Sequence, residues 1–185
     1  MALDIQTTPQ VLSQSAAPAS SISELAKTIR EAALAKALRE RRAYDADEGL
    51  LEMDLRRPAV FESIKDGMVQ GVARALAQHD AHVQAVYAYD PSANPDNEIG
   101  DDRPLDATMH LLVLATTPSA ALQAFIEALD HALTDSLHAL PSQTFQIRES
   151  VLNINLFTAK DVERRLGYAS LLSSLYAPAI KIWER

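Results

Sequence analysis

Hydrophobic residues recur at helical spacing in three segments of the chain. The first segment follows a capping box, in which Ser21 precedes Glu24 by three residues, and the helix is expected to run to about Arg42. A second helix is expected from Pro58 to around the sequence QHDAH. A third is expected from Pro118 onward, where a Leu-rich stripe continues for about five turns. The pattern therefore predicts three amphipathic helices before residue 140.

Extended segments lie between and after these helices. HVQAVYAYD has the two-residue period of a strand, with Val83, Ala85, Tyr87 and Tyr89 on one face and Gln84, Val86 and Ala88 on the other. TMHLLVLATT is expected to be a buried strand, and FQIRESVLNINLFT one strand with a bend. From Lys160 onward the spacing predicts an amphipathic terminal helix, which Pro178 should break or kink before AIKIWER. We therefore predict an α/β (α+β) fold, with a small mixed sheet covered by helices and an extra N-terminal helix.

The chain divides into three parts on composition. Residues 1–20 are rich in Ser, Gln, Thr, Ala and Pro without sustained periodicity, which predicts a flexible arm. Residues 21–57 form a helical extension, and residues 58–185 form the main domain. Within that domain, PSANPDNEIGDDRP is expected to be a surface loop. With 185 residues, 48% of them hydrophobic, the chain has enough material for one sizeable core.

Charge and composition narrow the classes of function. Seventeen Lys and Arg against 25 Asp and Glu give a net charge of −8, which disfavours nucleic acid and anionic lipid as partners. The absence of cysteine excludes disulfides and thiolate chemistry. No stretch approaches the roughly 20 apolar residues of a membrane helix, and the N-terminus lacks the basic and apolar regions of a secretion signal. We therefore expect a soluble, cytoplasmic protein that does not enter membranes.

Polar residues stand at alternate positions where the second predicted strand begins. Within LDATMHLLVLATT, the side chains of Asp106, Thr108 and His110 would share one face of an extended chain. No Gly-x-Ser-x-Gly elbow, Walker-type lysine loop or Gly-x-Gly-x-x-Gly turn occurs. The alternating polar face is therefore the main candidate for a site.

The order of these segments resembles a known family. In order, the chain has HVQAVYAYDPSA, an acidic loop, LDATMHLLVLATT, an amphipathic helix, VLNINLFTAKDVE and a Leu-rich end closing on IKIWER. This succession, over about residues 58–185, resembles the minimal nucleotidyltransferase domains of the polymerase-β-like superfamily. The resemblance implies a Gly-Ser turn after the first strand and two carboxylates two residues apart on the second. It also implies a third carboxylate on a later, neighbouring strand. Together these carboxylates hold divalent metals and a nucleoside triphosphate.

The resemblance places the phosphate-binding Gly-Ser turn on Asp90 and Pro91. Asp90 would bring a negative charge towards the triphosphate, and Pro91 removes a backbone hydrogen-bond donor. Asp90 is therefore a candidate substrate-binding position that has lost the chemistry for phosphate.

The metal-binding positions are also altered. The carboxylate pair falls on Thr108 and His110, and the third carboxylate falls on Asn153 or Asn155. Only Asp106 keeps a carboxylate on the expected face. His suits transition metals better than Mg²⁺, and Thr and Asn are neutral oxygen ligands. Asp106 and His110 are thus the candidate catalytic or metal-binding residues, the two asparagines are candidate substrate-binding residues, and Mg²⁺ is the cofactor only if the site is active.

Three functions stay open at this point. The chain is a catalytically degenerate nucleotidyltransferase-like protein acting as a binding, regulatory or assembly module, an active metal-dependent nucleotidyltransferase with shifted carboxylate ligands, or a helix-rich protein-interaction scaffold. A nucleotide is a possible ligand. A protein partner or self-association is expected, because Tyr168, Tyr176 and Trp183 give the C-terminal segment a dense apolar character that suits a core or a homodimer interface.

Overall fold

The computed structural model describes residues 19–44, 58–90, 105–140, 145–174 and 179–185. Three long helices are present: α1 (Ala19–Tyr44), α2 (Pro58–His79) and α3 (Ala120–His138). The strands are β1 (Val83–Ala88), β2 (Leu105–Asp106), β3 (Met109–Ala115), β4 (Phe145–Gln146), β5 (Leu152–Phe157) and β6 (Ile180–Glu184). A short helix α4 (Ala159–Glu163) and a 3-10 helix (Gly167–Ser173) lie between β5 and β6. No described helix has an apolar stretch long enough to span a membrane.

Two predicted segments lie mostly outside this description. The arm predicted over residues 1–20 is undescribed except for its last two residues, which belong to α1. The acidic loop is undescribed from Pro91 to residue 104, and Tyr176 and Pro178 also fall outside the described residues.

The main sheet is mixed and has four strands in the order β5-β3-β1-β6. Strand β1 is antiparallel to both β3 and β6, whereas β3 and β5 are parallel and are joined through α3. Strands β2 and β4 form a separate parallel pair. The predicted α/β fold with a small mixed sheet and packed helices is confirmed.

The C-terminal segment differs from the predicted amphipathic helix. Helix α4 ends after five residues in a Schellman-type turn, in which Arg165 adopts a φ of 52° and the Leu166 N–H donates to the Asp161 carbonyl at 2.9 Å. Gly167 follows with a φ of 50°, so the helix cannot continue. The final residues instead form β6, which pairs with β1. The segment predicted to be mostly helical from Lys160 to a break at Pro178 is therefore divided into α4 and the 3-10 helix, and the residues after the predicted break form a strand.

A second difference concerns FQIRESVLNINLFT, which we expected to form one bent strand. It forms β4 and β5, and these belong to different sheets. The residues between them, from Ile147 to Val151, carry the chain from the small sheet to the main one.

Helix α1 shares the main core although it lies in the predicted helical extension. Its buried residues recur every three or four positions and pack with those of α2 and α3; they are Ile22, Ala26, Ile29, Ala33 and Ala37. A Cβ atom at Gly67 would lie 2.9 Å from the Ala33 Cα, and one at Gly71 would lie 2.8 Å from the Ile29 Cγ2. These two glycines of α2 therefore allow α1 to approach closely.

The main sheet has two unlike faces. On the helix-covered face, alternate residues of β3 join the core formed by α1, α2 and α3; they are Met109, Leu111 and Val113. The residues between them, His110, Leu112 and Leu114, point to the other side, which we call the cleft face. There a smaller core of Leu112, Phe157 and Ala169 packs beneath the C-terminal segment. The candidate site lies on the cleft face, where β3 and β5 begin.

Candidate functional site

The pairing of β3 with β5 brings several of the predicted site residues together. His110 is the register partner of Asn153, and Leu112 is the partner of Asn155. The Asn155 Nδ2 donates to the Asn153 Oδ1 at 3.3 Å, so the two amides lie along one side of β5. Next to them, the Tyr89 N–H donates to the His110 carbonyl at 3.1 Å.

Asp90 follows Tyr89 at the end of the β1 segment and is exposed. Its negative charge acts on the imidazole of His110. The structure therefore brings His110, Asn153 and Asn155 together on the cleft face, with Asp90 near enough for its charge to act on His110.

An open cleft of about 830 Å³ lies over the start of β3 and β5. Its polar lining includes Asp106, Thr108, His110 and Asn153, together with Arg148 and Glu149 from the chain that precedes β5. The sequence did not point to Arg148 or Glu149, because such charged residues between two strands are ordinarily solvated. Their place in the cleft follows from how the chain passes from β4 to β5.

The carboxylate of Asp106 is engaged within the protein. Its Oδ1 accepts hydrogen bonds from the Thr108 N–H at 2.9 Å and from the Thr108 hydroxyl at 2.7 Å. Its Oδ2 lies 3.0 Å from the Arg148 Nη2. Strand pairing is interrupted at residues 107–108, so Asp106 and His110 do not belong to one regular strand as we expected. The two residues nevertheless line the same cleft.

These contacts keep Asp106 ionised. Partial burial of the carboxyl group would raise its pKa, but the two hydrogen bonds from Thr108 and the positive charges of Arg148 and Lys65 outweigh that effect. The pKa of Asp106 therefore lies below its ordinary value. The Lys65 Nζ also donates to the Asp106 carbonyl at 3.2 Å, so α2 helps to fix this turn.

His110 is half-buried, and its environment favours the neutral imidazole. Burial is the main cause that lowers its pKa below the ordinary value of 6.5, and the nearby charge of Lys65 adds to it. The carboxylates of Asp106 and Asp90 act in the opposite direction without reversing the shift. Among the described residues, the His110 Nδ1 is buried and has no hydrogen-bond partner.

The donor set of this cleft does not fit Mg²⁺. Mg²⁺ favours octahedral coordination by oxygen ligands and is held through carboxylates, whereas the Asp106 oxygens already have partners and His110 offers nitrogen. Within the described ranges, no three His, Asp or Glu side chains are grouped so as to hold a metal ion.

An aromatic row adjoins the cleft. The Tyr89 ring centroid lies 5.4 Å from that of His110 and 6.1 Å from that of Tyr168. Burial, followed by the nearby Tyr168, raises the pKa of Tyr89, and a side-chain hydrogen bond with Asn155 opposes this shift. The sequence indicated Tyr168 only as part of an apolar terminal segment; in the structure this residue is 52% exposed beside the site.

Asp130 on α3 positions the start of β5, and sequence reasoning missed it. Its Oδ1 accepts from the Val151 N–H at 2.9 Å and from the Leu152 N–H at 2.8 Å. The Val151 carbonyl in turn accepts from the Met109 N–H at 2.7 Å, which ties the start of β5 to the start of β3. The only sequence signal was an acidic residue beside the apolar stripe of α3. Asp130 therefore fixes the backbone from which Asn153 reaches the cleft.

The fold and the site define a mixed α/β domain with a polar cleft over the start of two parallel strands. A comparison with known protein families, curated proteins and solved structures finds no match to this chain. The resemblance to minimal nucleotidyltransferases accordingly stays a prediction.

Proposed function

We propose that this protein is a nucleotidyltransferase-like domain that does not transfer nucleotides and acts as a binding module through its cleft. The strand order supports the likeness. The resemblance requires the third carboxylate position to lie on a strand beside the second strand, and β5 is the neighbour of β3. His110 and Asn153, which stand at two of the replaced carboxylate positions, are register partners there.

The contacts of the Asp106 carboxylate are the main support for the proposal that nucleotide transfer is lost. Asp106 keeps the carboxylate that the sequence placed on the expected face, and Thr108 and Arg148 already engage both of its oxygens. These three contacts leave Asp106 at most one lone pair, on the Oδ2 beside the Arg148 guanidinium, with which to coordinate a metal. His110 and Asn153 add no negative charge there. A two-metal transfer mechanism needs a higher density of hard oxygen ligands.

The charges around the cleft also disfavour a triphosphate. Asp90, Asp106 and Glu149 are acidic, and the cations nearby are Arg148 and Lys65. Arg148 is paired with the Asp106 carboxylate, and Lys65 donates to the carbonyl of the same residue. The described residues therefore leave no excess positive charge for a polyphosphate in the absence of metal.

A transfer assay tests this proposal. The protein is incubated with Mg²⁺ or Mn²⁺ and labelled nucleoside triphosphates, with and without protein and nucleic-acid acceptors. Wild type is compared with Asp106→Ala and with Glu127→Ala, a variant of an exposed acidic residue on α3. We expect no labelled product above background for any of the three. Transfer by wild type and Glu127→Ala that Asp106→Ala abolishes would contradict the proposal.

Self-association is a second candidate function, and the edge of the main sheet favours it. Ile180 begins the edge strand β6 and is 66% exposed, and Leu166, earlier in the C-terminal segment, is 50% exposed. An edge strand with an exposed apolar residue can pair with a second copy of the chain. Sedimentation velocity over a range of concentrations should show a dimer that Ile180→Lys weakens. A monomer at every concentration would contradict self-association.

A further inference from the structure

We infer that the cleft recognises an uncharged planar ring that carries adjacent hydrogen-bond donors and acceptors, and that it discriminates against anionic ligands of the same shape. This inference rests on the proposed function, and it narrows the ligands of the cleft to one chemical class. Three features of the cleft and its immediate surroundings support it: a row of rings, a pair of amides and an unfavourable electrostatic environment for anions.

The row of rings supplies an aromatic surface beside the cleft. His110 lines the cleft, and its ring is tilted by 53° against Tyr89, which is in turn tilted by 38° against Tyr168. Because aromatic rings associate through tilted or offset contacts, a further planar group can extend this row. The neutral state of His110 removes the charge that would otherwise attract an anion there.

The amides supply the hydrogen-bonding edge. Asn153 is exposed in the cleft, and its Oδ1 accepts from the Asn155 Nδ2, a contact that fixes the orientation of the amide. A carboxamide has two N–H donors and two acceptor positions on its oxygen, so Asn153 keeps capacity for both kinds of hydrogen bond. Such a group pairs best with a ligand that presents a donor and an acceptor side by side.

The electrostatic environment sets the preference for an uncharged ligand. Asp90, Asp106 and Glu149 surround the region, and the Arg148 Nη2 is held 3.0 Å from Asp106. An anion entering the cleft would meet these carboxylates, and the ion pair with Asp106 offsets the attraction that Arg148 exerts on it. The cleft volume of about 830 Å³ lies within the range of about 300–1,000 Å³ typical of small-molecule sites.

A matched pair of probes isolates the effect of charge. Nicotinamide and nicotinate share a ring and a size, but the first carries a neutral carboxamide and the second a carboxylate. Both are titrated into ¹⁵N-labelled protein at neutral pH without divalent metal, and binding is followed by NMR. We expect nicotinamide to shift the signals of His110, Asn153 and Tyr168 at millimolar concentrations, and nicotinate to bind at least several-fold more weakly.

Variants test whether the amide and the charge act as argued. Asn153→Ala should weaken nicotinamide binding by about tenfold, because one or two hydrogen bonds are lost. Glu149→Gln should narrow the difference between the two probes. Gln123→Ala, at an exposed amide on α3 across the sheet, is the matched control and should leave both affinities unchanged.

The outcomes separate this inference from the proposed function. Absence of nicotinamide binding, equal or tighter binding of nicotinate, or shifts confined to the helix-covered face would each overturn the inference while leaving the loss of transfer intact. Metal-dependent nucleotide transfer would instead overturn the proposed function. The comparison of the two probes uses wild-type protein, so it decides the question even if Asn153→Ala does not fold.

Discussion

The two faces of the main sheet differ in how they are covered and in what they can do. On the helix-covered face, three helices bury a continuous apolar core. On the cleft face, the fully packed part is limited to Leu112, Phe157 and Ala169 and their partly buried neighbours. The start of β3 and β5 on that face carries polar side chains instead. One face thus holds the fold together, and the other leaves room for polar groups that face a ligand.

Alanine substitutions of two adjacent leucines in β3 test this difference between the faces most directly. Leu111 and Leu112 are both fully buried, but they point to opposite faces. Removing a buried leucine costs roughly 2–5 kcal/mol, and the loss depends on how far the surroundings can relax. We expect Leu111→Ala to lower the free energy of unfolding by about 4 kcal/mol and Leu112→Ala by about 2 kcal/mol, measured by urea denaturation. Equal losses would contradict the assignment of the larger core to the helix-covered face.

Asp130 joins the two regions, and its loss should have a smaller effect. Asp130→Ala leaves the N–H groups of Val151 and Leu152 without their acceptor, which should lower the free energy of unfolding by about 2 kcal/mol. Asp130→Asn keeps an acceptor oxygen and should lose less. Glu127→Ala, one turn away on the exposed side of α3, should be close to neutral. If Asp130→Ala proves as mild as Glu127→Ala, Asp130 does not hold the start of β5.

The sequence predicted the helix-covered face better than the cleft face, because periodicity reports burial along one element. Periodicity predicted the apolar stripe of α3 and the buried strand β3. The role of α1 was harder to see, although Gly67 and Gly71 stand four residues apart on α2 where α1 approaches closely. Glycines at that spacing in a helix interior are a usable signal, since they otherwise reduce helix stability.

The features that the sequence did not predict depend on contacts between segments that are far apart along the chain. The leucines after Lys160 have helical spacing, but the left-handed conformation of Arg165 ends α4, and β6 gains its partner some 95 residues back in β1. In the cleft, alternation predicted the positions of His110 and Asn153. It could not predict that Arg148 would reach Asp106, because that ion pair depends on the chain path between β4 and β5.

The smallest expected effect is a pH dependence that originates on the cleft face. In the unfolded chain His110 takes up a proton near its ordinary pKa of 6.5, whereas in the folded protein burial and the charges of Lys65 and Arg148 outweigh Asp106 and Asp90 and lower that pKa. The unfolded state therefore binds more protons, and the stability that His110 contributes above pH 6.5 is lost as the pH falls through its folded pKa. Over this interval we expect the free energy of unfolding of wild type to fall further than that of His110→Gln. The extra loss should be less than about 1 kcal/mol, because solvent screens the charge of a half-buried group. Urea denaturation of both proteins between neutral and mildly acidic pH measures this difference. The titration of His110 can also be followed by NMR. A pKa above the ordinary value would contradict the neutral imidazole, on which the preference for uncharged ligands depends.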